Sequence, residues 1–328
     1  MGVLFMGAEL EDFAITGAYT FSTSTVSTYA DASFVRGVIF DGSGSSTSDN
    51  ASAPLASSAT ELWAHSATYH NLSSAIRILM LSKSGGAQSN DRIGLKFDLA
   101  ATPKVIQIVK FDGTTETVLA TSSGGIVTTN TKYTLDLYVK LGASAIVTGY
   151  LNGTQVVTWT GDLTALTANV DWVRFSGTAI SEAIVHTEDT RQMRLQTRAP
   201  NAAGDSNTFT AGAYTAIDET PADLSDTIYS GTAAQVFQCK FPALPTAPSG
   251  GWVVRARKST ILAVKGLDAG PSSLDFGEKT NSTAYYPTTV ALANGWTPAS
   301  LVEETNPATS ARYTAAEAAA IQLSLRSV

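Results

Sequence analysis

Carboxylates that could perform acid–base chemistry are few in this sequence and poorly spaced for it. Asp136 stands alone among apolar and hydroxyl residues, while Glu188-Asp189 and Glu303-Glu304 are adjacent pairs. A glycosidase needs two carboxyl groups about 5 to 9.5 Å apart across the scissile bond. Neighbouring residues of a strand point to opposite faces, so neither adjacent pair meets this need. We therefore predict a protein that is not an enzyme.

The three histidines do not suggest a metal site. His65 and His70 are five residues apart on one predicted strand, so their side chains should fall on opposite faces, and His186 is remote in sequence. No Gly-x-Ser-x-Gly segment follows a strand and precedes a helix, and no Gly-rich loop opens a helix. We interpret the histidines as surface or hydrogen-bonded residues, and we predict no cofactor.

Calcium is the one metal that the sequence leaves open. Asp41, Ser43 and Ser45 lie in a polar loop and carry the hard oxygen ligands that calcium prefers. The single Cys239 excludes an intrachain disulfide and a cysteine-rich zinc site. The metal-site prediction is therefore none, with this loop as the open alternative.

Composition narrows the classes of partner. Of 328 residues, 21 are Lys or Arg and 28 are Asp or Glu, which gives a net charge of −7 with no dense basic block. Such a chain is poorly suited to binding the phosphate backbone of nucleic acids or the surface of anionic membranes. No stretch approaches a membrane span, and Glu9, Glu11 and Asp12 stand where a signal peptide needs Lys or Arg. We expect no nucleic-acid partner, no membrane anchor and no Sec export.

Alternation of apolar and polar residues, typical of half-buried strands, recurs along most of the chain and predicts an all-β protein. Asn152-Gly153 is the preferred pair of a two-residue type I′ hairpin, and Asp112-Gly113 carries the same turn chemistry. Hairpins in series favour antiparallel sheets over βαβ units. The predicted strands before residue 190 are 34–40, 62–69, 75–82, 92–99, 105–111, 117–121, 131–140, 144–151, 154–159, 172–176 and 183–187.

A change of composition near residue 190 predicts two domains, 1–190 and 191–328. Residues 41–58 are almost entirely small and polar, which indicates an exposed loop. In the second domain, Thr314 to Glu317 has the spacing of a capping box and predicts one short C-terminal helix. The predicted strands there are 193–197, 227–230, 235–241, 252–258, 283–290, 299–303 and 321–325.

Large aromatic rings are the remaining binding signal, because exposed rings can stack on sugars or pack at interfaces. Trp159 and Trp172 alternate with apolar residues, which predicts that they are buried. Tyr285 and Tyr286 are adjacent and must face opposite sides of a strand. Together with Trp63, these two tyrosines are our candidates for a glycan or interface contact.

Several segments of the sequence match a known pattern. A short apolar segment, Met1 to Met6, precedes the acidic-aromatic pair Asp12-Phe13. A strand ends at Glu188-Asp189-Thr190-Arg191, and past Arg194 the run Asn201-Ala202-Ala203-Gly204-Asp205 reads as a turn that opens a second domain. The closing segments are Trp296-Thr297-Pro298, Glu304 to Thr309, and Tyr313 to Leu323. Together they resemble a family of tailed-bacteriophage and prophage virion structural proteins.

The middle of the chain resembles the concanavalin-A-like, or laminin-G-like, pattern over residues 133–139, 146–150, 152–153 and 156–157. These resemblances imply a concanavalin-A-like jelly-roll sandwich followed by a second β-sandwich-like domain. The N-terminal segment would complete the first sheet or dock onto a neighbouring subunit.

The resemblances also imply a function, that of a non-enzymatic virion component of a tail fibre, tail tip or spike. Host-surface glycans and other virion proteins would be its partners, in a homo-oligomer with a trimer favoured, assembled in the bacterial host cytoplasm. A capsid decoration protein and a carbohydrate-binding or glycan-degrading module remain alternatives.

Overall fold

The computed structural model divides the chain into two compact units, Met1–Thr197 and Arg198–Val328, which are described separately. The boundary that the composition predicts, at 190/191, lies slightly before this division. The structure describes residues 2–7, 14–16, 20–25, 36–41, 50–70, 74–83, 85, 88–129, 131–166, 170–176, 179–191, 193–195, 198–217, 226–244, 253–266 and 270–328.

The first unit is built from two antiparallel sheets. The strands are β1 (Val3–Gly7), β2 (Ala14–Thr16), β3 (Thr20–Thr25), β4 (Arg36–Asp41), β5 (Asn50–Ala59), β6 (Glu61–His70), β7 (Ile76–Ser82), β8 (Asp91–Asp98), β9 (Val105–Phe111), β10 (Glu116–Thr121), β11 (Thr131–Lys140), β12 (Ala145–Leu151), β13 (Thr154–Gly161), β14 (Val170–Phe175) and β15 (Ala179–His186). The eight-stranded sheet has the order β13-β12-β11-β6-β15-β4-β3, with β1 also paired to β15, and the seven-stranded sheet has the order β10-β9-β8-β7-β14-β5-β2.

Alternating residues of the two sheets pack into one shared core. On β11, Leu135 and Leu137 are fully buried in this core together with Leu95 of β8, in the other sheet. Asp136 and Tyr138 alternate with the leucines and so lie on the outer face of the eight-stranded sheet. The unit is therefore an antiparallel β-sandwich, and the predicted all-β fold is confirmed. Because β1 pairs with β15, the N-terminal segment completes the first sheet.

The two predicted hairpin turns form differently. Asn152 and Gly153, at φ 50° and 77°, connect β12 to β13 as the two positive-φ residues of a type I′ turn require. Between β9 and β10 the loop has four residues, and the Asp112 carboxylate accepts the backbone N–H groups of Thr114 and Thr115. These bonds hold the pKa of Asp112 down at about 2. The Asp-Gly pair therefore predicts the position of the turn but not the type of turn.

The prediction of an exposed loop over residues 41–58 is wrong for the second half of that range. Residues 50–59 form β5, which pairs with β14 so that Ala51 lies opposite Phe175. Ala51, Ser52 and Ala53 are fully buried. Small residues fill this part of β5, which lies second from the edge of its sheet, and they lack the bulky branched side chains that usually indicate a strand. The candidate calcium ligands Ser43 and Ser45 lie outside the described residues, and the Asp41 side chain is not described either.

The second unit contains a five-stranded sheet in the order β16-β17-β22-β19-β20 and a two-stranded ribbon, β18-β21. Phe237, Phe276 and Leu325 form the core of the sheet face, and Ile261 and Leu301 of the ribbon pack against them. This arrangement is the predicted second sandwich-like domain. Its elements are β16 (Ala202–Asn207), β17 (Val236–Lys240), β18 (Arg257–Ala263), β19 (Ser273–Thr280), β20 (Thr283–Ala291), β21 (Thr297–Glu303), α1 (Ala315–Ala320) and β22 (Gln322–Ser327).

The predicted helix is confirmed, whereas several predicted details of the second unit are wrong. Thr314 caps α1, and Glu317 completes the capping box. The run Asn201 to Asp205, expected as a turn, belongs largely to the edge strand β16, which pairs with β17. The strand expected over 227–230 is reduced to a bridge between Tyr229 and Ala211. No described helix is long and apolar enough to cross a membrane.

Candidate functional site

Three aromatic residues share the outer face of the eight-stranded sheet. The register of β6 and β11 sets Trp63 opposite Tyr138 and His65 opposite Asp136. On the next strand, β12, Tyr150 lies opposite Asp136. The ring centroids of Trp63 and Tyr138 are 4.9 Å apart, and those of Trp63 and Tyr150 are 5.5 Å apart. All three rings are half-buried. We name Trp63, Tyr138 and Tyr150 the aromatic platform.

Charged side chains border the aromatic platform in compensating pairs. The Tyr138 hydroxyl donates to Glu61 at 2.8 Å, and Lys140 lies 3.8 Å from the same carboxylate. Burial and the Glu61 carboxylate raise the pKa of Tyr138 to about 12. The Arg191 guanidinium lies over the rings of Tyr150, at 4.8 Å, and Trp63, at 5.4 Å. It is also paired with the Asp189 carboxylate.

Arg191 reaches the platform from a segment that follows β15, residues 187–195, which we name the strap; its residue 192 lies outside the described part of the chain. The strap begins where the Thr187 N–H donates to the Gly2 carbonyl at 2.8 Å. The Asp189 carboxylate accepts the backbone N–H of Arg191 at 2.9 Å, and Met193 N–H bonds to the Thr190 carbonyl. The bond from the Arg191 N–H to the Asp189 carboxylate is an Asx-turn, a local fold that aspartate favours.

Beneath the strap lies a buried network of charged and polar side chains. His65 Nδ1 and Asp136 Oδ1 are 2.8 Å apart, and the Thr190 hydroxyl donates to the same carboxylate oxygen at 2.9 Å. His65 Nε2 faces Glu182 Oε2 at 3.8 Å, an ion-pair distance. Arg194 donates to both Glu182 oxygens, at 2.7 and 2.8 Å. His65, Asp136, Glu182 and Thr190 are at most 2% exposed.

The network carries charge at neutral pH. Burial disfavours a charged imidazole, but the carboxylates of Asp136 and Glu182 outweigh burial and raise the pKa of His65 to about 9. Burial also opposes the charge of Glu182, yet His65 and Arg194 lower the pKa of that carboxyl group. Glu182 has a φ of 56°, in a stretch of β15 where the pairing with β6 shifts register. This strained backbone turns the carboxylate towards His65 and Arg194.

Sequence reasoning missed this network. Asp136 stands out in the sequence as a lone acid among apolar neighbours, but its partners His65 and Thr190 are 71 and 54 residues away in the chain. No local spacing indicates such an assembly. Of the other histidines, His186 lies opposite Trp63 in the pairing of β15 with β6, and its Nδ1 accepts the backbone N–H of Glu188 at 2.8 Å. The His70 side chain is outside the described part of the chain.

The predicted contact residues are distributed over both units. Trp63 belongs to the first unit, whereas Tyr285 and Tyr286 are on β20 of the second. Tyr285 lies in register with Glu278. The Tyr286 hydroxyl is 2.9 Å from Ser324 Oγ, and the Arg326 guanidinium covers its ring at 4.6 Å.

The two other predicted tryptophans are half-buried. Trp159 packs against the core as expected. Trp172, expected in the core, lies on the side of β14 opposite the core residue Val173, because the strand alternates there. Among the described residues, no group of three or more His, Cys, Asp or Glu side chains could hold a metal ion.

A second buried polar cluster lies in the C-terminal unit. The fully buried Glu278 accepts from Arg257 Nη1 at 2.5 Å and from the Tyr313 hydroxyl at 2.7 Å. Burial and the neighbouring Glu278 carboxylate raise the pKa of Glu303 to about 8. Glu303 thus interacts with the carboxylate of Glu278, which is distant in sequence, rather than forming a pair with its sequence neighbour Glu304. Burial likewise raises the pKa of the Cys239 thiol, to about 12, so it stays protonated.

No family model and no curated protein matches this chain. Similar solved structures include carbohydrate binding module CBM66 from Bacillus subtilis, which is 16% identical with a TM-score of 0.32 and covers 51% of this chain and 96% of its own. An endo-β-1,4-glucuronan lyase from Trichoderma reesei is 9% identical with a TM-score of 0.40 and covers 57% and 96%. Tailspike protein 2 of the Escherichia coli O157:H7 bacteriophage CAB120 is 10% identical with a TM-score of 0.37 and covers 58% and 27%. Similarity at this level does not bear on activity.

Proposed function

We propose that this protein is a non-enzymatic component of a tailed-phage virion that contacts host-surface glycans through the aromatic platform. The observation that carries the glycan contact is the cluster of Trp63, Tyr138 and Tyr150 on an outer sheet face, with ring centroids 4.9 and 5.5 Å apart. The three rings lie close together on one face, and the part of them that the Arg191 guanidinium leaves uncovered is an apolar surface on which a sugar ring can lie. The half-buried state of each ring leaves part of that surface open.

The border of the platform supplies the polar half of a sugar site. Glu61 and Asp189 at the edge of the rings, and Arg191 over Tyr150 and Trp63, offer acceptors and donors, and sugar hydroxyls need both. Asp189 and Arg191 are about two-fifths exposed, at 41% and 39%. A sugar that stacks on Trp63 can therefore reach these groups without opening the protein.

The charges at the platform favour uncharged sugars. Arg191 is paired with Asp189, and Lys140 with Glu61, so the two cations at the border are each matched by an anion. The chain as a whole carries −7. An acidic glycan would gain no unpaired cation here and would meet a net negative protein. Neutral hexose units are the ligand class that this arrangement suits.

The placement in a virion rests on the resemblance of the N-terminal, junction and closing segments to tailed-phage structural proteins. In that setting the protein would act in a tail fibre, tail tip or spike, as a homo-oligomer with a trimer favoured. Imaging of intact particles labelled with an antibody against this protein tests the placement. Label on tails or projections supports it, label over the shell indicates capsid decoration instead, and unlabelled particles would refute it.

The glycan contact is tested by binding to an array of neutral and acidic glycans, followed by titration of the best ligand. We expect Trp63→Ala to weaken binding about tenfold or more, because the stacked ring supplies the apolar contact. Tyr286→Ala is the matched control, since its ring also lies under an arginine but belongs to the second unit. A wild-type protein that binds no glycan would refute the contact, and a greater loss with Tyr286→Ala would move it to the other unit.

A further inference from the structure

We infer that the strap is a built part of this site, and that His65, Asp136 and Thr190 are positioning residues that hold Arg191 over the aromatic platform. The glycan ligand in this inference rests on the proposed function. The arrangement of the strap itself does not.

The first anchor of the strap is one residue before Arg191. Thr190 is completely buried, and its hydroxyl donates to Asp136 Oδ1 at 2.9 Å. The same oxygen is 2.8 Å from His65 Nδ1, so His65 and Thr190 share one oxygen of Asp136. Because Thr190 cannot move without breaking a hydrogen bond to a buried carboxylate, the backbone of Arg191 is fixed as well.

The second anchor is on the other side of Arg191. Arg194 makes a two-point contact with Glu182, whose carboxylate in turn faces His65 Nε2 at 3.8 Å. Both anchors therefore end on the same imidazole. His65 lies between two carboxylates, and each carboxylate holds a different residue of the strap.

This construction is a costly way to obtain stability alone. Buried ion pairs lose much of their attraction to desolvation, and apolar residues of similar volume often stabilise a protein equally well. Glu182 adds backbone strain, since a φ of 56° is uncommon for a residue other than glycine. Charged groups do offer a directional, unique geometry, which apolar packing does not. That geometry places a guanidinium 4.8 Å from the Tyr150 ring and 5.4 Å from the Trp63 ring.

The consequence for ligand binding is that Arg191 acts as a fixed donor. A free arginine on the surface would lose side-chain entropy when it bound a sugar hydroxyl. Arg191 is instead pre-ordered over two rings and by Asp189, beside the part of the platform that a sugar would contact. Loosening the strap should therefore weaken binding even though the platform rings are unchanged.

Thr190→Val tests the first anchor, because valine has nearly the shape of threonine but no hydroxyl. Thr190→Ser restores the donor and serves as the rescue. Thr289→Val is the matched control, since Thr289 makes the same kind of bond to Asp275, at 2.7 Å, in the second unit. The readouts are hydrogen exchange of residues 187–191 and 193–195, and acrylamide quenching of Trp63, isolated by subtraction of the Trp63→Phe signal.

We expect Thr190→Val to speed exchange of the strap about tenfold or more and to increase quenching of Trp63, with Thr190→Ser close to wild type and Thr289→Val without effect. Exchange and quenching unchanged in Thr190→Val would overturn the inference, whether or not a glycan is bound. Failure of the proposed function would appear differently, as a wild-type protein with an ordered strap and no glycan ligand.

The network also predicts an alkaline limit to the order of the strap. The groups that face His65 are Asp136 of β11, Glu182 of β15, and the strap residues bonded to them, Thr190 and Arg194. When His65 loses its proton near pH 9, two buried carboxylates lose their shared cation. Quenching of Trp63 should rise across that pH in the wild type, whereas a flat profile to pH 10 would count against the anchoring role of His65.

Discussion

Arg174 and Asp91, 83 residues apart in the chain, form a two-point ion pair inside the first unit: Arg174 Nε donates to Asp91 Oδ1 at 2.7 Å and Nη2 donates to Oδ2 at 2.5 Å. The side chains are 1% and 0% exposed. Ser82 also donates to the carboxylate, and Ser176 accepts from Arg174 Nη1. The pair thus connects β14 with β8, the second strand along in the seven-stranded sheet.

Asp91→Asn should reduce the free energy of unfolding of the first unit by about 3 to 5 kcal/mol, because it leaves a buried guanidinium without its anion. Urea denaturation followed by tryptophan fluorescence measures the change. Asp205→Asn is the control: that carboxylate is 46% exposed, so solvent screens its ion pairs and their loss should have little effect on stability. Equal effects of the two substitutions would show that burial does not decide the strength of the Arg174 pair.

The Glu278–Glu303 pair should make the second unit less stable as the pH rises. The pKa of Glu303 is about 8 in the folded protein, against an ordinary value of 4.5, so the folded state binds the extra proton between those values. Its contribution to stability is complete below about pH 4.5 and is lost as the pH approaches 8. Glu303→Gln should remove this slope, and parallel stability curves for the variant and the wild type from pH 5 to about 9 would contradict the assignment.

The N-terminus of α1 should be sensitive to the Thr314 hydroxyl. The side chain accepts from the Glu317 backbone N–H, and the Glu317 carboxylate accepts the Thr314 N–H at 2.8 Å. Thr314→Ala should lower the stability of the second unit by about 1 kcal/mol, as measured by thermal unfolding. Thr314→Ser keeps the capping oxygen and should lower the stability of the second unit by only a few tenths of the loss in Thr314→Ala. A similar loss in both variants would mean that the methyl group matters more than the cap.

Binding of a neutral glycan at the platform should hardly depend on salt. The border cations Arg191 and Lys140 are already paired with Asp189 and Glu61, so no long-range attraction to the ligand is screened. Affinity measured by calorimetry should therefore change less than about twofold between roughly 0.05 and 0.5 M NaCl. A steep loss with salt would indicate an acidic ligand and an Arg191 that exchanges Asp189 for it.

Local sequence signals predict the elements that are stabilised locally. The turn at Asn152-Gly153 requires positive φ at both positions, and the helix at Thr314 requires a hydroxyl and a carboxylate three residues apart, so both are evident from the sequence. Strand β5 is not, because its buried residues Ala51 and Ala53 are small and lack the branched or aromatic side chains that indicate a strand. Strand β16 likewise consists of small and polar residues whose only strand signal is pairing with β17.

The candidate site divides in the same way. Trp63 can be selected from its type, since large rings on strands are common contact residues. Its two partners cannot, because Tyr138 and Tyr150 become neighbours of Trp63 only through the register of β6, β11 and β12. Asp136 is an isolated acid in the sequence, and its role emerges from His65 and Thr190, which the topology brings to it. Long-range pairing, rather than residue type, determines this part of the molecule.

The left-handed backbone at Glu182 has a consequence for how this protein can diverge. Glycine would occupy that conformation without strain. Glutamate is tolerated at position 182 because ionic contacts of its carboxylate with Arg194 and His65 offset the backbone strain. A homologue without the arginine should therefore carry glycine or asparagine at this position. The two positions should change together, so that residue 182 alone reports whether a homologue keeps the strap in place.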